Sequence, residues 1–294
     1  MTRYLVACPP DETTREVLAL GRQLSVAAYV HHDVVTVAPG PWAFRSKASV
    51  DAEYVAFVEQ RAAGVLERAR KELGDVPAEY TVLHEHRSVA TTLISRAEAT
   101  AAEMVLIGSS RRRPGRISVG STADALLHRS GVPVATAPEG YSPPPGTALS
   151  RVTVGVSGSK GEQDAMSLAA RLVRERGIPL RVATTLVVDR DAALPVVGFG
   201  PDMAIWTEWH AELRTLHAEL LEGLPPDVQG TSIITQGDSW AAAIDALDPL
   251  DGEMMIIGCS GQGLMRHVFL GTHSGKIVRN AGLPVVVVPP AAQH

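Results

Sequence analysis

Gly258, Gly261 and Gly271 fall at the spacing G-x2-G-x9-G, and Thr272, His273 and Ser274 follow directly. Glycine adopts positive φ without strain and lets the main chain approach a ligand closely. Successive N–H groups in such a loop form a concave anion site. Thr272 suits the N-cap of a helix beginning near Ser274, whose positive end would face the same space. Phosphate is the guest this chemistry suits. Each charge-assisted hydrogen bond contributes roughly 1.5–3 kcal/mol, so a few of them support about micromolar binding. The same glycines would also serve a plain tight strand-to-helix connection, and spacing alone does not separate the two.

A damaged copy of this pattern precedes it in "LIGSSRRRPGRISVGSTADALL", Leu106 to Leu127. Gly108 is in place, Arg111 occupies the second glycine position, and Gly120 arrives one residue early, followed by Ser121 and Thr122. Arg111, Arg112, Arg113 and Arg116 would either clamp phosphates or form a solvated basic loop on a pocket without a ligand.

The elements that must position these loops also occur twice. "RYLVACPP" matches "RVTVGVSG" from Arg151, "EMVLIGSS" from Glu103 matches "EMMIIGCS" from Glu253, and "RSGVPVATAP" matches "NAGLPVVVVPP". The offsets are all about 148 to 151 residues, in one order. "EGYSPPPGTALS" between them has the proline and glycine content of a linker. Two domains of one kind are expected, 1–140 and 151–294, joined through 141–150.

Each copy alternates short β-branched runs with helical patterns. In the second, "VTVGV", "LRVATTLVV", "TSIITQ", "EMMIIG" and "PVVVV" read as strands. Ala165, Met166, Leu168, Ala169, Leu172 and Val173 share one helical face, which Gly177 ends. A loop is expected from Asp189 to Asp202, and a matching one from Val37 to Lys47. Such alternation argues for two doubly wound α/β domains with parallel, Rossmann-like sheets. In that fold ligands bind beyond the carboxyl ends of the strands, where the glycine loop lies.

Bulk properties exclude other classes. A net charge of −5 and a pI near 6.1 supply no global attraction to nucleic acid or to an acidic membrane. No apolar run approaches the roughly 20 residues that cross a bilayer, and the N-terminus lacks the pattern of an export signal. Two cysteines, Cys8 and Cys259, are too few for a disulfide framework and suit a reducing compartment. A cytoplasmic location is expected.

The G-x2-G-x9-G-(S/T) motif, between the fourth strand and last helix of a repeated α/β domain, resembles that of the universal stress protein family. The resemblance covers almost the whole chain, as a tandem member, and "QGDSW" (Gln236 to Trp240) resembles the family's turn after strand three. It implies ATP, with or without Mg²⁺, bound mainly by the C-terminal domain. Its phosphates would lie on Gly258, Gly261, Gly271, Thr272, His273 and Ser274. Its adenosine would lie between the first two strand ends, at Gly155, Val156, Ser157 and Val187. A weaker site would use Gly108, Gly120, Ser121 and Thr122.

Two departures weaken the expectation. Ser157 stands where nucleotide-binding members carry an aspartate, a loss of about 1–2 kcal/mol. In the first copy Asp11 is displaced by Pro9 and Pro10. The implied role is regulatory, with an unidentified protein partner and slow or absent turnover. Family members pair through their last strands, so Val134 to Ala137 and Val285 to Val288 are expected to form a pseudo-dimer, with homodimerisation left open. A nucleotide-free interaction scaffold is the alternative, ahead of an ATP pyrophosphatase, whose SGGxDS loop Ser157-Gly158-Ser159 only begins.

Among the remaining candidates, Cys259 near a helix N-terminus suggests either a redox-sensitive thiolate or a small loop residue facing the strands. His84 and His86 alternate on one strand face without a third ligand at a recognisable spacing. His210 and His217 share a helical face and are read as packing residues.

Overall fold

The computed structural model describes residues 2–10, 14–40, 48–110, 114–158, 162–187, 203–259 and 272–290. The chain divides into two compact units, with the change at Ala148–Leu149. In the first, the order is β1 (Thr2–Ala7), α1 (Thr14–Ser25), β2 (Val30–Ala38), α2 (Ala48–Leu73), β3 (Ala78–His84), α3 (Val89–Ala99), β4 (Met104–Ile107), α4 (Ser121–Arg129) and β5 (Val134–Thr136). The second has β6 (Arg151–Gly155), α5 (Glu162–Arg176), β7 (Leu180–Val187), α6 (Met203–Glu222), β8 (Gly230–Gly237), α7 (Trp240–Asp245), β9 (Glu253–Gly258), α8 (Thr272–Asn280) and β10 (Val285–Val288).

The strand order in the first unit is β3-β2-β1-β4-β5, and in the second β8-β7-β6-β9-β10. The pairings are parallel in both. This is the doubly wound α/β architecture that the alternating pattern predicts. β4 and β9 are apolar runs buried along their length, as a strand covered on both faces must be. All six residues assigned to the α5 core face are buried, and Gly177 takes φ +63° just past the helix, where a side chain would be strained. Ser239 caps α7 through its side chain, which accepts from the Ala242 N–H at 3.2 Å.

One local difference from the sequence pattern stands out. The segment expected to leave the sheet at Val37 remains in β2 through Ala38, because Val37 and Ala38 pair with Leu83 and His84. The loop expected from Asp189 to Asp202 lies outside the described residues.

Each sheet buries one ionic cluster, and the two are of opposite sense. Leu5 pairs with Asp33 in the first unit, and Thr153 pairs with Arg181 at the equivalent place in the second. Asp33 is fully buried and receives two bonds from Arg96 of α3, at 2.7 and 3.0 Å. Arg181 donates to Glu253 of β9 at 2.6 Å and to the Leu247 carbonyl at 2.7 Å. Arg151 and Thr153 also donate to the Glu253 carboxylate. Buried charges of this kind persist only when paired and fully hydrogen-bonded.

Candidate functional site

In both sheets the chain winds one way from the first strand and the other way from the fourth. The crevice at the carboxyl ends of that neighbouring pair is the topological switch point, where doubly wound folds place ligands. In the first unit a cavity of about 330 Å³ opens there. Ala7 at the end of β1 with Cys8 to Pro10 after it, Val35 and Val37 of β2, and Val89 and Leu93 of α3 form its apolar walls. Gly108, Ser109, Ser110, Gly120, Ser121 and Thr122 form its polar end. The four first-domain residues that the sequence marks as the weaker site are thus brought together around one space.

That polar end is built from an unfinished helix terminus. Gly120 occupies the cap of α4 at φ −84°, with no side-chain cap bond. The Asp124 N–H to Gly120 carbonyl bond, 2.8 Å, opens the helical ladder. The N–H groups of Ser121, Thr122 and Ala123 precede that ladder and so have no acceptor within the helix. Opposite them, Ser110 bonds the Ser118 carbonyl through both its N–H and its hydroxyl, each at 2.9 Å, which holds the arms of the connecting loop together. Helix polarity and open donors favour an anion here.

The turn after β1 has little to offer a ligand. Pro9 and Pro10 carry no N–H, the Pro9 carbonyl accepts from Thr14 Oγ1 at 2.6 Å, and the Pro10 carbonyl accepts from Arg61 at 3.2 Å. Cys8 beside them is a buried thiol whose pKa burial raises far above its ordinary value, so it is neutral.

In the second unit, Gly155 ends β6. A Cβ there would lie 2.9 Å from Ile257 Cγ2, so close packing against β9 is one reason for the glycine. The Val156 N–H donates to the Ala183 carbonyl at 2.9 Å, and the Val156 carbonyl accepts from Thr184 Oγ1 at 3.0 Å. The Ser157 N–H donates to the buried carboxylate of Glu162 in the first turn of α5. Three main-chain groups of this turn are therefore taken, while the Ser157 side chain is exposed. Sequence reading missed Thr184 and Glu162. An acid at the first residue of α5, where the first unit has Thr14, was the available signal.

Gly258 ends β9 beside Gly155, and its carbonyl accepts from Ser274 Oγ at 3.2 Å. Thr272 is the first residue of α8 rather than a cap ahead of Ser274, and His273 lies in the same first turn. The two assignments differ by the one or two residues over which helix ends are ordinarily ambiguous. Val187 lies apart, at the end of β7 opposite Gly237, whereas Gly155 faces Ala183. Gly261 and Gly271 lie outside the described residues, as do Asp11 and Arg111 to Arg113.

The other candidate residues have structural surroundings. Cys259 is fully buried and its thiol is pushed up to about 12 by that burial, the reverse of a thiolate. His84 lies 3.3 Å from Glu59, and no group of three His, Cys, Asp or Glu able to hold a metal occurs among the described residues. No helix among them is long and apolar enough to cross a membrane.

A repeated doubly wound domain with its crevice at the switch point defines a class of small α/β proteins. Comparison narrows that class: the universal stress protein family model matches residues 5–138 and again 149–289, so the chain belongs to this family. A universal stress protein of Mycobacterium tuberculosis is 37% identical over 262 residues, covering 87% of this chain and 89% of the relative. Another from Mycolicibacterium smegmatis is 30% identical over 241 residues, 79% of this chain and 78% of its own. The crystal structure of a universal stress protein from Archaeoglobus fulgidus aligns over 97% of this chain and 98% of its own, with a TM-score of 0.68 at 19% identity, a likeness of fold.

Proposed function

We propose that this universal stress protein binds adenine nucleotide, ATP with or without Mg²⁺, at the carboxyl edges of its sheets. Its role is regulatory: occupancy changes a surface that a protein partner reads, with hydrolysis slow or absent. The observation that carries this reading is the first unit's cavity. Apolar walls suit a base and sugar, and an uncapped helix start with open N–H groups suits phosphate. Its volume of about 330 Å³ is at the lower end of the roughly 300–1,000 Å³ typical of ligand sites. The second unit offers the same switch point, with the intact glycine spacing in its sequence. Two free, buried cysteines suit the reducing cytoplasm expected for such a protein.

Calorimetry with ATP on the full chain and two variants tests the proposal. Gly120→Val places a branched side chain at the phosphate end of the first cavity. Its φ of −84° is ordinary for any residue, and the new Cβ would sit 3.4 Å from Ser110 Cβ, so the fold should persist. Gly261→Val alters the second glycine of the motif in the C-terminal domain. Each is expected to remove its own domain's site, at least a tenfold weakening. Unchanged binding in both variants, or none by the unaltered protein at millimolar ATP, overturns the reading in favour of an interaction scaffold.

A further inference from the structure

The second unit contains a polar arm that its core has no packing reason to keep. His217 of α6 is 2% exposed, and its Nε2 lies 2.9 Å from Thr184 Oγ1. Thr184 in turn donates its single hydroxyl proton to the Val156 carbonyl at 3.0 Å. A carbonyl only accepts, so that proton is committed and the hydroxyl must accept from the histidine. This sets the tautomer with hydrogen on Nε2. The direction of every bond in the chain His217–Thr184–Val156 follows from this.

Among the described residues the first unit shows no such arm. Thr36 is buried on β2 as Thr184 is on β7, but α2 contains no histidine, and Ala62, Val65, Leu66, Ala69 and Leu73 are buried along it. An all-apolar helix face thus suffices to pack this layer. Burying an imidazole in its place is unfavourable unless it is satisfied, and burial alone lowers the pKa of His217.

Val156 is the residue this arm immobilises. Its N–H is held by Ala183 and its carbonyl by Thr184, and the next N–H, of Ser157, is held by Glu162. The turn carrying the exposed Ser157 side chain is therefore fixed from two sides, by β7 with α6 and by α5. We infer that His217 is a positioning residue for the second domain's ligand site, fixing through Thr184 the turn after β6 that carries Ser157. This rests on the nucleotide reading above for what the crevice holds, though not for the positioning itself.

Amide hydrogen exchange on the full ligand-free chain tests the positioning. His217→Leu keeps bulk and removes the donor, and Thr184→Val removes both bonds. Each is expected to speed exchange of the Val156 and Ser157 amides about tenfold, with first-unit amides unchanged. His217→Gln, whose side-chain amide nitrogen replaces Nε2 as donor, is expected to restore protection. ATP calorimetry in a Gly120→Val background, which isolates the second site, should show about tenfold weaker binding for His217→Leu and recovery in His217→Gln. Unchanged turn exchange in His217→Leu overturns the inference, as does a loosened turn with unchanged ATP affinity. A loosened turn in a background that binds no ATP at all upholds the positioning and removes only the nucleotide reading.

Discussion

His32 shows how one side chain ties the fold to pH. It is fully buried on β2 against α1, with Nε2 at 2.7 Å from Ser25 Oγ and 3.1 Å from the Gly21 carbonyl. Nδ1 is buried with no hydrogen-bond partner, and burial lowers the pKa from 6.5 to about 4. The unfolded chain therefore takes up this proton more readily than the folded protein, and acid favours unfolding. The contribution is complete above pH 6.5 and is lost as pH falls through about 4, at most about 3 kcal/mol in all. Urea titrations across that window should show His32→Gln losing stability less steeply with acid than the parent protein. Equal slopes would place the acid sensitivity elsewhere.

At the scale of elements, Gly237 shows what a tight junction demands. A Cβ there would lie 2.4 Å from the Ala243 nitrogen and 2.8 Å from the Ala242 carbonyl carbon, both main-chain atoms that have no rotamer to retreat into. Gly237→Ala should destabilise the protein by about 1–3 kcal/mol, visible as a lowered thermal midpoint. An unmoved midpoint would contradict that packing. The strands and the α5 core face were legible because period-2 and period-3.6 patterns are local. So was the ligand edge of the sheet, since parallel strands have their carboxyl ends on one side. The Thr184–Val156 bond, the His217 arm and the Arg96–Asp33 pair were not, because they join groups 28, 33 and 63 residues apart. The uncapped start of α4 was hidden for a different reason: Gly120 signals flexibility in sequence, whereas the open N–H groups of Ser121, Thr122 and Ala123 follow from where the helix begins.

Across the whole molecule, one fold is written twice with different polar interiors. Arg96→Met would leave the Asp33 carboxylate buried without its cation, a loss of about 3–5 kcal/mol expected as an earlier chemical-denaturation transition. A transition unmoved by that change would show Asp33 satisfied by other means. The inverted sign of the two clusters has a further bearing on how such a duplicated chain finds its native arrangement. Tandem near-copies risk trading equivalent segments while they form, giving intertwined hybrids. A β7 segment inserted in the place of β2 would bring Arg181 against Arg96, and a β2 segment inserted in the place of β7 would bring Asp33 against Glu253. Each hybrid would set like charges together at a buried strand position, so opposite interior polarity disfavours the exchange of β2 with β7.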